Sequence, residues 1–186
     1  MSKWSDFYLR KATNVESIRN FKVKYTPYFR EICKSMPYCC GVQIEFGCGT
    51  GIVSRVVSGH LKTTDSVLVD NDSDVLDLAR LLNSLYKFNP VLHEQDIVKE
   101  RILSHTTFNV AHSHGVLEHF DNESIKRTVR NMRDCANSVI CYVPSSKYDY
   151  KSFGDERLLT PKAWKRICAP KEIIEFNDGY DLILKW

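Results

Sequence analysis

The sequence has no apolar run approaching the roughly 18 residues that a membrane-spanning helix needs. Its first residues, Met1-Ser2-Lys3-Trp4-Ser5-Asp6, lack the apolar core of a secretion signal. Its seven cysteines are odd in number, and no two of them form a Cys-x-x-Cys pair. These absences argue against a membrane protein, a secreted protein and a disulfide framework. They point to a reducing cytoplasm, with the thiols serving as small buried hydrophobes. Internal repeats and low-complexity tracts are missing too. So is any basic stripe with interleaved aromatics, which leaves a nucleic-acid partner unsupported.

What is present suits one globular domain over 1–186. Hydrophobic residues make up 43% and charged residues 26%, and the length is enough to bury a core. The net charge of +3 is unevenly spread. Residues 1–40 carry eight Lys and Arg against three Asp and Glu, and residues 147–171 carry seven against three. Basic flanks around a more acidic centre can attract an anionic small molecule. Solvated helix faces are the simpler reading.

Residues 1–40 read as an N-terminal helical cap. Asn14 or Ser17 starts a helix running through Phe21, and Tyr25 to Met36 forms another, ended by Pro37. Aromatics crowd this region: Trp4, Phe7, Tyr8, Phe21, Tyr25, Tyr28 and Phe29. From residue 41 onward strands and helices alternate. Strands are expected at Val42–Phe46, Ser66–Asp70, Val91–Glu94, Phe108–His112 and Ser138–Val143. Helices are expected at Gly51–Ser58, Ser73–Tyr86, Asn122–Ala136 and Pro161–Ala169, with a turn and short helix over Asp96–Leu103. Such alternation of apolar strands with helices indicates a mostly parallel sheet covered on both faces. Asn177-Asp178-Gly179, between Glu172–Phe176 and Tyr180–Leu184, predicts a terminal hairpin.

The chain is organised around Glu45-Phe46-Gly47-Cys48-Gly49-Thr50-Gly51, a strand end, a glycine turn and a helix start. Glycines there allow positive φ and close ligand approach, while the helix start offers free N–H groups. The dinucleotide fingerprint Gly-x-Gly-x-x-Gly wants its third glycine where Ile52 stands. That disfavours a nicotinamide dehydrogenase. Glu-x-Gly-x-Gly-x-Gly instead resembles the first motif of class I S-adenosylmethionine-dependent methyltransferases.

Ligands of open α/β sheets bind at strand carboxyl ends. Asp70 ends the second strand, nineteen residues after Gly51, where a carboxylate can take both ribose hydroxyls. Asn71 and Asp72 beside it are also good turn residues. The resemblance implies that Asp96 takes the adenine amino group and Ile97 lies against the ring. After the fourth strand, His114-Gly115-Val116-Leu117-Glu118-His119 resembles the Leu-Glu-His signature of small-molecule methyltransferases. It implies that His114 and Gly115 pass beside the methionine moiety and that Glu118 and His119 stand near the reacting centre.

The resemblance covers about residues 41–143. It implies a Rossmann-like three-layer α/β sandwich with a seven-stranded, mostly parallel sheet and a C-terminal antiparallel hairpin. It also implies S-adenosylmethionine as cofactor, bound by Glu45, Gly47, Cys48, Gly49, Thr50, Gly51, Asp70, Asn71, Asp96, Ile97, His114 and Gly115. The expected function is methyl transfer to a small-molecule or accessible acceptor group. A non-catalytic binding or regulatory partner is the rival. If the acceptor is a hydroxyl, His119 or His114 is the natural base; with an amine or a carboxylate the histidines need only orient the substrate. Glu45 supports the turn or faces the sulfonium. His112, His114 and His119 raise the question of a metal, but the resemblance accounts for them and none is expected. Residues 145–157 lie where this family builds its acceptor site, with Tyr148, Tyr150, Lys151 and Arg157 as contact candidates. No Asn-Pro-Pro-Tyr motif follows the fourth strand, which argues against a DNA-base or protein-glutamine acceptor.

Overall fold

Runs such as Ser66-Val67-Leu68-Val69 are apolar without alternation, as strands covered on both faces require. The computed structural model describes residues 2–11, 15–37, 40–61, 64–102, 107–153 and 155–186. Among the described residues seven strands form one sheet: β1 Gly41–Phe46, β2 Thr64–Asp70, β3 Val91–Glu94, β4 Phe108–His114, β5 Ala136–Pro144, β6 Glu172–Phe176 and β7 Asp181–Lys185. Their spatial order is β3-β2-β1-β4-β5-β7-β6. The first five are mutually parallel, and β7 runs antiparallel between β5 and β6. The order reverses between β1 and β4, so their carboxyl ends open a crevice there.

The helices are α1 Lys3–Lys11, α2 Val15–Lys24, α3 Thr26–Lys34, α4 Ile52–Leu61, α5 Ser73–Leu85, α6 Asn122–Cys135 and α7 Pro161–Cys168. Local chemistry sets their starts. The Asp72, Asp121 and Thr160 side chains accept from Val75, Ser124 and Ala163 amides, and Pro161 opens α7. Side chains alternate across each strand, giving two cores. Ile44, Phe46 and Ala111 pack with Ile125, Met132 and Trp164 on one face. Val110, Ile140 and Ile183 pack with Tyr28, Ile32, Val53 and Val57 on the other. Truncating a fully buried side chain such as Ile44 to Ala costs about 2–5 kcal/mol. No helix among the described residues is long and apolar enough to cross a membrane.

Four local expectations change. α1 was not expected as a helix, yet Trp4, Phe7 and Tyr8 stand at helical spacing and turn one aromatic face inward. β4 continues two residues past His112 because Ser113 and His114 keep pairing with Cys141 and Tyr142. Of the turn and short helix expected over Asp96–Leu103, the described part is a turn alone: Asp96 accepts from the Val98 and Lys99 amides and one turn exhausts the pattern. Leu103 and Asn14 lie outside the described residues, and Ser17 falls inside α2. The terminal hairpin closes through three left-handed residues, Asn177, Asp178 and Gly179, so β7 starts at Asp181, not Tyr180.

Candidate active site

The glycine turn is built from both sides. Gly49 has φ of +52°, and a Cβ there would overlap the Tyr8 hydroxyl of α1. A Cβ on Gly51 would come within 2.5 Å of Leu68 Cδ1 and 3.0 Å of Asn83 Nδ2. Gly51 therefore serves close packing of turn on sheet. The Cys48 amide donates to the Val69 carbonyl at 3.0 Å, and the Gly51 amide donates to the Cys48 carbonyl at 2.8 Å. The Cys48 side chain packs with Leu68 and Leu76, and the Thr50 carbonyl accepts from Asn83 Nδ2 at 3.0 Å.

Glu45 lies buried beneath this turn. Its Oε2 accepts the Ser54 amide at 3.1 Å and the Ser54 hydroxyl at 2.6 Å, capping α4 from the sheet. Burial lifts its pKa to about 7, and the Asp70 charge adds to the rise. Beside it His112 Nε2 lies 3.1 Å from Gln43 Oε1 and 3.3 Å from Ser54 Oγ. Burial takes the His112 pKa down to about 3, so the ring is a neutral part of the core.

In front of the turn lies a cavity of about 420 Å³. Gly47, Asp70, Asn71, Asp96, Ile97, Gly115 and His119 line it, so the structure brings these seven sequence-selected residues together. Glu45, Cys48, Thr50 and Gly51 stand behind its wall instead, and Gly49 is covered by Tyr8. Asp70 Oδ2 accepts the Gly49 amide at 3.0 Å and Oδ1 accepts the Asp72 amide at 3.3 Å. Burial raises its pKa. With the Asn71 amide also acting on the carboxylate, three backbone donors leave at least one of its four lone-pair sites for a ligand hydroxyl. The Asp96 carboxylate is more committed. Its Oδ1 takes the Val98 and Lys99 amides, and Oδ2 pairs with Lys99 Nζ at 2.9 Å, which lowers its pKa.

A second cavity of about 330 Å³ adjoins the first and shares Trp4, Tyr8, Gly115 and His119 with it. His114 belongs to this second chamber, not beside the first cavity, because its ring stacks on Tyr142 at 4.3 Å and meets Tyr25 edge-on at 4.4 Å. Glu118 also lines it. The side chain is only 3% exposed, and burial, followed by the charges of Glu156 and Asp155, lifts its pKa to about 8. His119 Nδ1 is 2.6 Å from Asp155 Oδ1, and Trp4 lies edge-on to the ring at 5.2 Å. Trp4 in turn stacks flat on Phe153 at 3.9 Å. Of the expected acceptor contacts, Tyr148 and Tyr150 line the chamber. Arg157 does not: it donates to the Phe120 carbonyl at 2.6 Å and to Asn122 Oδ1 at 2.8 Å, bracing the loop. Lys151 is exposed and lines neither cavity.

The three histidines thus go three ways, and among the described residues no cluster of metal-ligating side chains forms. Sequence reasoning passed over Asp155, Glu156 and Phe153. Nothing local marks them, since their partners stand elsewhere in the chain.

Comparison with known proteins follows the same lines. Residues 44–138 match a family model described as a methyltransferase domain. An S-adenosylmethionine-dependent methyltransferase from Clostridium acetobutylicum aligns with a TM-score of 0.72 at 13% identity, over 98% of this chain and 96% of its own. A Pyrococcus horikoshii protein aligns with a TM-score of 0.76 at 14% identity, over 97% of each chain. Magnesium protoporphyrin IX methyltransferase from Synechocystis, with S-adenosylmethionine bound, gives 0.62 at 13% identity, over 93% and 83%. No curated protein gives a significant sequence match.

Proposed function

The chain belongs to the methyltransferase-domain family and uses S-adenosylmethionine, and on that premise we propose how its two cavities divide the reaction. The cavity before the glycine turn holds the cofactor, and the adjoining chamber holds a small-molecule acceptor. The observation that carries this division is Asp70, whose carboxylate pins Gly49 while facing the first cavity. The residues fit the cofactor. Gly47 gives its methionine end a bare stretch of backbone in the cavity wall, Asp70 and Asn71 suit ribose hydroxyls, and Ile97 offers an apolar face for a base. Asp96 serves mainly its own turn and contributes shape more than a free carboxylate.

Bound S-adenosylmethionine supplies an electrophilic methyl group on a sulfonium sulfur. The chain has to orient the acceptor, exclude water and receive a proton. His119 stands between the cavities. With Nδ1 held by Asp155, its Nε2 is the nitrogen left to take the acceptor's proton. His114 is part of the acceptor wall. Trp4 and Tyr8 roof the junction, where an aromatic face near a sulfonium contributes about 1–2 kcal/mol. Small-molecule acceptors accord with relatives of this fold such as mitomycin 7-O-methyltransferase and the Synechocystis porphyrin enzyme. The anionic acceptor suggested by the basic flanks meets Lys24 in the chamber, but Lys24 already donates to the Tyr148 hydroxyl at 2.9 Å and pairs with Asp181 at 3.6 Å. The family match disfavours a dehydrogenase and a non-catalytic partner.

The test is calorimetric. Wild type binds S-adenosylmethionine, whereas Asp70→Ala and Asp70→Asn lose at least about tenfold in affinity, the equivalent of one charge-assisted hydrogen bond. Circular dichroism verifies the fold. Full affinity in folded variants overturns the ribose assignment.

A further inference from the structure

Glu118 is buried at the edge of the acceptor chamber, and its Oε2 has no hydrogen-bond partner. Buried polar atoms are nearly always paired; Glu118 Oε2 is sealed from solvent, so a donor arriving from outside meets it as the carboxyl group turns toward the chamber its residue lines. No side chain among the described residues donates to it. Lys24, the Lys or Arg residue in its lining, is spent on Tyr148 and Asp181. Acidic groups gather instead: Glu156 is buried and also lines the chamber, its Oε1 accepting from the Ser152 hydroxyl and the Phe153 amide at 2.6 Å each. Asp155 stands next to it, on His119. The remaining walls are aromatic faces and edges, chiefly Trp4, Phe153, Tyr25 and Tyr142.

We propose that the methyl acceptor is a small amine with an apolar or aromatic body, bound as its ammonium form with an N–H donated to Glu118. The inference rests on the reading of this chamber as the acceptor site. Aromatic faces favour a cation and tolerate a hydrophobic body. A neutral hydroxyl would meet the same oxygen but bring no charge to offset three neighbouring carboxyl groups. An anion would add a fourth. Burial and its acidic neighbours keep Glu118 protonated near neutral pH in the absence of a cation; an arriving ammonium stabilises the carboxylate, and the Glu118 proton passes to solvent as it binds.

The chemistry balances with groups already named. Neutral His119 takes one proton from the bound ammonium and becomes an imidazolium against Asp155. The freed nitrogen lone pair forms the N–C bond to the methyl carbon as the C–S bond breaks, with that bond's electron pair remaining on sulfur. The methylated nitrogen is again cationic and still faces the Glu118 carboxylate, and His119 returns its proton to solvent.

Matched probes test the proposal: benzylamine, phenethylamine and cyclohexylmethylamine, each against the corresponding alcohol and carboxylic acid. They are titrated calorimetrically into the full chain saturated with S-adenosylhomocysteine. At least one amine is expected to bind at least about tenfold tighter than its alcohol and acid. Glu118→Gln should remove that advantage while leaving S-adenosylhomocysteine binding unchanged, which also verifies that the variant folds. If no amine outranks its matched alcohol, or if Glu118→Gln keeps the preference, the proposal falls. The wild-type ranking stands even if the variant misfolds. Failure of S-adenosylhomocysteine to bind wild type would sink the cofactor reading instead, so the two failures are told apart.

Discussion

At the scale of single residues, Gly49 bears the tightest constraint. Its left-handed backbone costs an L-residue about 1–2 kcal/mol, and a Cβ would also collide with Tyr8. Gly49→Ala should therefore lower unfolding free energy in urea by about 1–3 kcal/mol. Adding Tyr8→Ala should recover the steric share and leave the backbone share, so the two substitutions are coupled. A stable Gly49→Ala protein, or simple additivity, would show that α1 does not rest on the turn. Gly47, Asp70, Asn71 and Ile97 were legible in the sequence because their signals are local: a glycine spacing and an acid or apolar group at a strand end. The His119–Asp155 pair was not, since 36 residues separate the partners and the loop carrying Asp155 has no periodicity. Glu118 was legible as a site residue. Its orphan oxygen was not, because satisfaction is a property of packing.

Elements differ in how clearly they announce themselves. β1, β2 and β3 follow from apolar runs that end at turn chemistry, and α5 and α7 from their caps. β4 was read short because Ser113 and His114 are polar, although both are enclosed by neighbouring strands and the α3 face. α1 is capped by Ser2, whose hydroxyl accepts the Ser5 amide at 3.0 Å, and this start and the spacing of Trp4, Phe7 and Tyr8 are its two local signals. Once placed, α1 explains why the cavity before the glycine turn is enclosed: Tyr8 covers Gly49, and Trp4 on Phe153 bridges to the loop after β5. A ligand can touch Gly49 only when the Tyr8 side chain moves aside. Tyr8→Ala should accordingly speed both association and dissociation of S-adenosylmethionine several-fold in stopped-flow binding. An unchanged association rate would mean that α1 does not gate the cavity.

For the molecule as a whole, the same buried groups that prepare the site set a pH dependence of stability. Glu45 and Glu118 titrate at about 7 and about 8 when folded, against 4.5 for an ordinary glutamate. Between these values the folded chain holds protons that the unfolded chain has released, so rising pH favours unfolding. His112 works the other way: folded at about 3 against 6.5, it stabilises as pH rises, but only below 6.5. Glu31 and Asp96, both lowered by lysine partners, also act on the acid side. From pH 6.5 to 8 the two glutamates are therefore unopposed by these groups. With about 1.4 kcal/mol per pH unit for each proton, the loss over that window is about 2–3 kcal/mol. Urea denaturation at half-unit steps should show the decline, and Glu118→Gln should confine it to the part below about pH 7 that Glu45 contributes. A flat or rising wild-type profile would mean that the two carboxyl groups are ionised in the folded chain. The proton balance of the acceptor chamber would then have to be redrawn, with Glu118 a standing anion that holds its amine by charge alone.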